Sequence, residues 1–301
     1  MNSQHTIVGL GEVLWDLLPS GRQLGGAPAN FAYCAHLLGN HGVVVSRAGS
    51  DTLGSELRDR LGESGISDEY IQNDPVLPTG TVNVNVDFAG QPEFEITYPA
   101  AWDFLEWNGE LEQLARSCDV VCLGTLAQRS EQSRSTILKF LQGTRNECLR
   151  VFDVNLRQSF YSAEIILQSL EKATAVKLNE HELPIVANLL GIAVNEFCQS
   201  ILTRFQLQFV CVTRGEKGSV LLGRDGMHEH SGFQIKVKDT VGAGDAFTAG
   251  LVHEYLRGSS LAQMNDTANR MGAWVASQAG GMPRVEKGKP EIQQLPGSSA
   301  L

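Results

Sequence analysis

Hydrophobic residues follow two rhythms along this chain. Short, mostly apolar runs at Ile7–Leu10, Val43–Val45, Val120–Leu123, Val151–Val154, Ala173–Leu178 and Phe209–Val212 predict strands buried on both faces. Between the later runs, segments 131–142, 162–171 and 182–204 carry apolar residues at helical spacing with polar faces. Pro184 suits the first turn of a helix and argues against an uninterrupted helix through that point. Near the amino end, Gly25-Gly26 reads as a turn and Pro28 as a first-turn residue. Ala27, Phe31, Cys34, Ala35 and Leu38 continue as a helix that Gly39 ends. Ala243–Leu256 and Leu261–Ala279 predict two further helices. The expected architecture is α/β, a mostly parallel sheet covered by helices.

One segment breaks the pattern. From Thr79 to Tyr98, Val82, Val84 and Val86 alternate with Asn83, Asn85 and Asp87, and Phe94, Ile96 and Tyr98 alternate again. Ala89-Gly90-Gln91-Pro92 supplies turn chemistry between them. A hairpin with one polar face is predicted, either a small lid or an edge ribbon.

Composition narrows the function classes. A formal net charge of -10 disfavours a basic nucleic-acid platform. No apolar run is long enough to cross a bilayer, and Met1-Asn2-Ser3-Gln4-His5 is not a signal-peptide start, so a cytoplasmic location is expected. Six cysteines without a CxxC pair suggest buried thiols rather than disulfides or zinc. There is no Walker A loop, no complete dinucleotide fingerprint and no zincin motif.

The strongest chemical signal is Asp239-Thr240-Val241-Gly242-Ala243-Gly244-Asp245-Ala246-Phe247, small residues leading into a helix. Free amides at a helix start receive phosphate oxygens, and phosphoryl transfer needs such amides beside a base aimed at the attacking hydroxyl. A helix cap with packing glycines is the plainer alternative. The nine-residue string resembles the signature of the ribokinase-like carbohydrate kinases, the PfkB family, and the resemblance runs over nearly the whole chain. It implies a three-layer α/β sandwich with a small β-sheet lid, contributed by 12–24 and 79–98 of a single 1–301 unit. It also implies ATP with Mg2+, Asp245 as general base, and an anion hole at Gly242, Ala243 and Gly244. Val241 stands where relatives often carry threonine. Asp239 is either a turn cap or, by the resemblance, a ligand for a monovalent cation such as K+.

Gly11-Glu12-x-x-x-Asp16 followed by Gly25-Gly26-Ala27-Pro28-Ala29-Asn30 is similar to fructokinase-like and 2-keto-3-deoxygluconate kinase-like members. The resemblance makes Asp16 and Asn30 sugar-binding; Gly25 and Gly26 permit close approach of a polyhydroxyl substrate, and the plainer alternative for all four is to shape a turn and helix start. Ribokinase proper usually has Gly-Gly-Lys-Gly-Ala-Asn, so ribose is disfavoured. Asp153-Val154-Asn155-Leu156-Arg157 follows a strand, a binding rim in open α/β sheets. Arg157 there serves sugar or phosphate, or forms a surface ion pair. Asn179 and Glu182 share one helical face. In the family this spacing organises magnesium, through water; a plain helix charge is the alternative for Glu182. Thr213, Gly215 and Gly218 resemble the nucleotide-side loop and also suit a tight strand connection. Asn269, Ala273, Val275, Ala279 and Gly280 resemble an adenine pocket and otherwise read as packing positions.

The expected activity is ATP-dependent phosphorylation of a small sugar or sugar acid, with fructose first and 2-keto-3-deoxygluconate next. Adenosine kinase and a non-catalytic carbohydrate sensor are the alternatives. No nucleic acid or membrane partner is expected, and the resemblance suggests a homodimer joined through the lid.

Overall fold

The computed structural model of the protein describes residues 4–18, 21–86 and 92–285. The strands are β1 (Thr6–Leu10), β2 (Leu14–Leu18), β3 (Gly21–Gly25), β4 (His41–Gly49), β5 (Ile71–Asp74), β6 (Gly80–Val86) and β7 (Pro92–Ile96). They continue as β8 (Val120–Leu123), β9 (Leu149–Asp153), β10 (Ala175–Asn179), β11 (Phe209–Thr213), β12 (Ser219–Gly223) and β13 (Gly226–His230). The helices are α1 (Ala27–Leu37), α2 (Thr52–Glu63), α3 (Gly109–Ser117), α4 (Glu131–Gly143) and α5 (Ala163–Lys172). After them come α6 (Glu182–Leu189), α7 (Phe197–Arg204), α8 (Ala243–Leu256) and α9 (Leu261–Ala276).

Nine strands form one sheet in the order β13-β12-β11-β10-β9-β8-β1-β4-β5. From β5 to β11 every pairing is parallel, and β12 and β13 turn back antiparallel. Strand alternation sorts the core into two layers. Val8, Val121, Phe152 and Val176 face α3 to α7, meeting residues such as Phe140, Ile166 and Phe197. Ile7, Val120, Val151 and Ala175 face the other way, toward α1, α2, α8 and α9, where Phe31, Leu57, Leu251 and Met271 lie. This is the expected three-layer sandwich, and it explains why the central parallel strands read as mostly apolar runs.

The alternating segment forms the antiparallel pair β6–β7 within a second sheet of order β3-β2-β6-β7. Its turn at 89–91 lies outside the described residues, as does the tail 296–301. Asp16 and Gln23 are direct partners across β2 and β3 and share one face; Trp15 and Leu24 occupy the opposite one. The Trp15 indole donates to Leu53 O at 2.9 Å, fixing this sheet to the start of α2.

The helices part from the sequence reading in three places. Segment 182–204 is two helices, because the chain turns at Gly191 with φ 65°. The final helix stops at Ala276, and Gly280 beyond it adopts φ 73°. Helices α2 and α3 were not predicted, although Asp51 and Asn108 cap them through Gly54 N and Leu111 N.

Candidate active site

The loops that leave the parallel strands at their carboxyl ends converge with the amino ends of α1 and α8. Helix α8 starts from Gly242 in the left-handed region at φ 75°, and a Cβ there would collide with Gly281. The first helical bond runs from Ala246 N to Gly242 O at 2.9 Å, which leaves the preceding amides at the helix mouth. Of these, Ala243 N reaches Thr240 O at 3.2 Å.

Asp245 lies in this first turn and keeps part of its surface open. Asn30, from the first turns of α1, donates to Asp245 Oδ2 at 2.8 Å. The amide of Asn30 is itself closely backed by Gly281, where a Cβ would come within 2.6 Å of it. Burial pushes the Asp245 carboxyl up to about 6, and the neighbouring Asp153 charge adds to this. Donation from Asn30 and the cations Lys177 and Arg157 oppose the rise. A carboxylate so placed is ionised at neutral pH and basic enough to take a proton.

Asp16 is on the small sheet, where Gly25 leaves room for its carboxylate; a Cβ on Gly25 would strike Asp16 Oδ2. Burial raises Asp16 to about 6 as well, with Arg157 opposing and Asp239 reinforcing. Gly26, at φ 104°, is the N-cap of α1 and passes against the Glu12 backbone. Arg157 is exposed on the loop after β9 and donates to Leu156 O at 3.0 Å. That loop holds Asn155 and Gln158 in the left-handed region, at φ 44° and 49°.

Asn179 and Glu182 cap α6 reciprocally. Asn179 Oδ1 accepts from Glu182 N at 2.9 Å, and Glu182 Oε2 accepts from Asn179 N at 2.8 Å. Glu182 Oε1 also accepts from Leu156 N at 2.9 Å, tying the Arg157 loop to this helix. Asp239 plays a comparable bridging part, accepting from Val241 N and Gly280 N at 3.0 Å each. Among the described residues, no three His, Cys, Asp or Glu side chains cluster to hold a metal.

The nucleotide-side candidates fall into separate places. Thr213, Gly215 and Gly218 form the tight β11–β12 connection, with both glycines at positive φ. Asn269 is buried and donates to Ser219 Oγ at 2.8 Å and Asn265 O at 2.7 Å. Ala273 lies half-buried on the same helix, whereas Gly280 packs beside Gln23 and Asp239.

Two ionisable side chains here were not singled out from the sequence. Glu12 is buried and pushed up to about 7 by burial, against hydrogen bonds from its own amide and that of Ala27. Lys177 is buried in β10 with its ammonium 3.0 and 3.1 Å from the two oxygens of Asp153. The available signal was that Asp153 and Lys177 each interrupt an apolar run; the structure makes them direct partners on adjacent parallel strands.

Residues 21–287 match the family model described as "pfkB family carbohydrate kinase". A fructokinase of Escherichia coli is 30% identical over 294 residues, covering 91% of this chain and 94% of that protein. The crystal structure of a fructokinase from Xylella fastidiosa with bound ATP superposes with a TM-score of 0.82 at 24% identity, covering 92% of this chain and 95% of the other. A fructokinase double mutant from Vibrio cholerae O395, solved with fructose, ADP and potassium ion, gives a TM-score of 0.76 at 26% identity over 93% and 94%.

Proposed function

The chain belongs to the pfkB family of carbohydrate kinases, and on that premise we propose that it transfers the γ-phosphoryl group of ATP to a primary hydroxyl of fructose. One observation carries the chemistry: a carboxylate, Asp245, in the first turn of a helix whose mouth presents backbone amides. Asp245 takes the proton of the acceptor hydroxyl as the oxygen attacks, and Asn30 fixes the carboxylate's orientation. The amides of Gly242, Ala243 and Gly244 meet the charge on the transferring group. Asp16, on the face of the small sheet that it shares with Gln23, and Asn30 orient the sugar, with Arg157 at the rim. The small sheet acts as a lid that excludes water. Thr213, Gly215 and Gly218 border the nucleotide, with Asn269 and Ala273 on the adenine side.

Magnesium bound with ATP would neutralise phosphate charge. Each Glu182 oxygen already accepts one backbone N–H, donor chemistry that suits a water-bridged ion better than direct ligation. Asp239 would hold potassium between the loops it already ties. Fructose rests on the relatives that carry the fructokinase name and on the Gly25–Asn30 segment. Among the described residues no helix is long and apolar enough to cross a membrane, and the reading places the enzyme in the cytoplasm, as a dimer through the lid.

An acceptor panel of fructose, ribose, adenosine and 2-keto-3-deoxygluconate, with ATP and product identification, tests the proposal. Fructose phosphate formed with the highest kcat/KM is expected. Preference for another acceptor overturns the substrate, and ATP consumption without any sugar phosphate overturns the activity.

A further inference from the structure

The Asp153–Lys177 pair is more than a core contact. Both side chains leave the sheet toward α8, as their parallel register requires. Lys177 Nζ meets both Asp153 oxygens, and Thr248 of α8 donates to Asp153 Oδ2 at 2.9 Å. Thr248 Oγ1 lies also 3.0 Å from Gly244 O, one turn earlier on the same helix. Lys177 Nζ sits directly beneath Gly244, where a Cβ would approach it to 3.0 Å. The pair therefore reaches the backbone at the helix mouth by two routes, and a side chain at position 244 would press on one of them.

We propose that Lys177, held by Asp153, which Thr248 bonds in turn, is a positioning residue for phosphoryl transfer: it supports the Gly244 end of α8 from below and neutralises the carboxylate beside the base. The inference rests on the kinase reading given above for Asp245.

Burying an ion pair against the sheet is costly, and a well-packed apolar pair of similar volume often replaces one without loss. Position gives this pair a different value. Asp153 is the largest charge raising the proton affinity of Asp245, and Lys177 is one of the cations lowering it. Other groups around the base come from every neighbouring element. Glu12 follows β1, Asn30 and Cys34 are on α1, and Arg157 follows β9. The charges of the pair are also felt by Cys122 of β8, Cys211 of β11 and Glu182 of α6. Lys177 is the one cation in this set that is buried, so solvent screens its charge least.

The test compares wild type with K177M, D153N, the double variant K177M/D153N, and T248V. Without Lys177 the Asp153 charge is unopposed, so the acid limb of kcat/KM should move up by about one pH unit. In D153N the unopposed ammonium should move the limb down, and the double variant should return it toward wild type. Turnover at the pH optimum should fall roughly 10²-fold in K177M through misplacement of the helix mouth. T248V should lower turnover with its acid limb unmoved. Opposed shifts in the single variants support the proposal; superimposable profiles in all folded variants overturn it. Should K177M fail to fold, D153N and the double variant still decide the sign. Carboxyl NMR titration of Asp245, assigned with D245N, reads the same coupling without turnover. A wild type that phosphorylates no acceptor would sink the kinase reading, while absent coupling in an active enzyme would sink only this one.

Discussion

Asp103–Arg129 and Asp153–Lys177 are both buried acid–base pairs, yet their surroundings differ in kind. Arg129 meets each Asp103 oxygen at 2.8 Å, donates to Thr97 O at 2.6 Å, and lies 3.9 Å above the Trp102 ring, with Tyr98 and Phe160 on other sides. Asp103 Oδ2 accepts in addition from Ala100 N. These partners hold the chain that leaves the small sheet against the loop after β8, and none of them is among the groups around Asp245. Lys177 and Asp153 instead border the base itself. Similar contacts thus serve connection in one place and reactivity in the other, and only their neighbours tell them apart.

The sharpest separation comes from D245N. Loss of a general base should lower kcat roughly 10³-fold, while the amide oxygen that replaces the carboxylate can still accept from Asn30 and the fold persists. Stability should move the opposite way. Folded Asp245 and Asp16 hold protons up to about pH 6 and Glu12 up to about 7, where unfolded carboxyls have released them. Their contribution to stability is therefore fully present only below about pH 4, where both states are protonated, and is lost as pH rises through 6 and 7. D245N should be more stable than wild type at pH 8 by about 1 kcal/mol, measured by urea unfolding. A less stable D245N would contradict the cost assigned to the buried base.

R129M should reverse that signature. Leaving Asp103 buried and unpaired should cost about 3–5 kcal/mol in urea unfolding, with turnover per folded molecule unchanged. A large kcat loss with normal stability would erase the distinction between the two pairs. In wild type, kcat/KM should fall about tenfold per pH unit below the acid limb near pH 6, as Asp245 gains its proton. A limb near pH 4 would mean that burial does not govern this carboxyl. The smallest effect belongs to the α6 cap: N179A should cost about 1 kcal/mol, read as a lower Tm.

Much of this architecture was legible because burial on both faces writes a strand as an apolar run, as at Val120–Leu123, whose observed limits coincide with the reading. Helix α8 was equally plain, its small residues marking a close approach that the Gly242–Gly281 contact explains. Helix α2 was missed because its buried face is narrow, resting on Leu57 and Leu61 among charged residues. The motif residues Asn30 and Asp245 do meet, but Lys177 could be paired with Asp153 only once strand register was known. Glu182 and Asn179 carried a second meaning that spacing alone left open, a reciprocal cap in which each side chain serves the other's backbone.

The most direct test is single-turnover transfer from ATP to fructose by wild type and D245N at pH 8, with the sugar phosphate followed by phosphorus NMR and ATP affinity measured separately. The account predicts fructose phosphate in step with ADP for wild type, and a roughly 10³-fold slower transfer in a variant that still binds ATP. Transfer by D245N at the wild-type rate would contradict it.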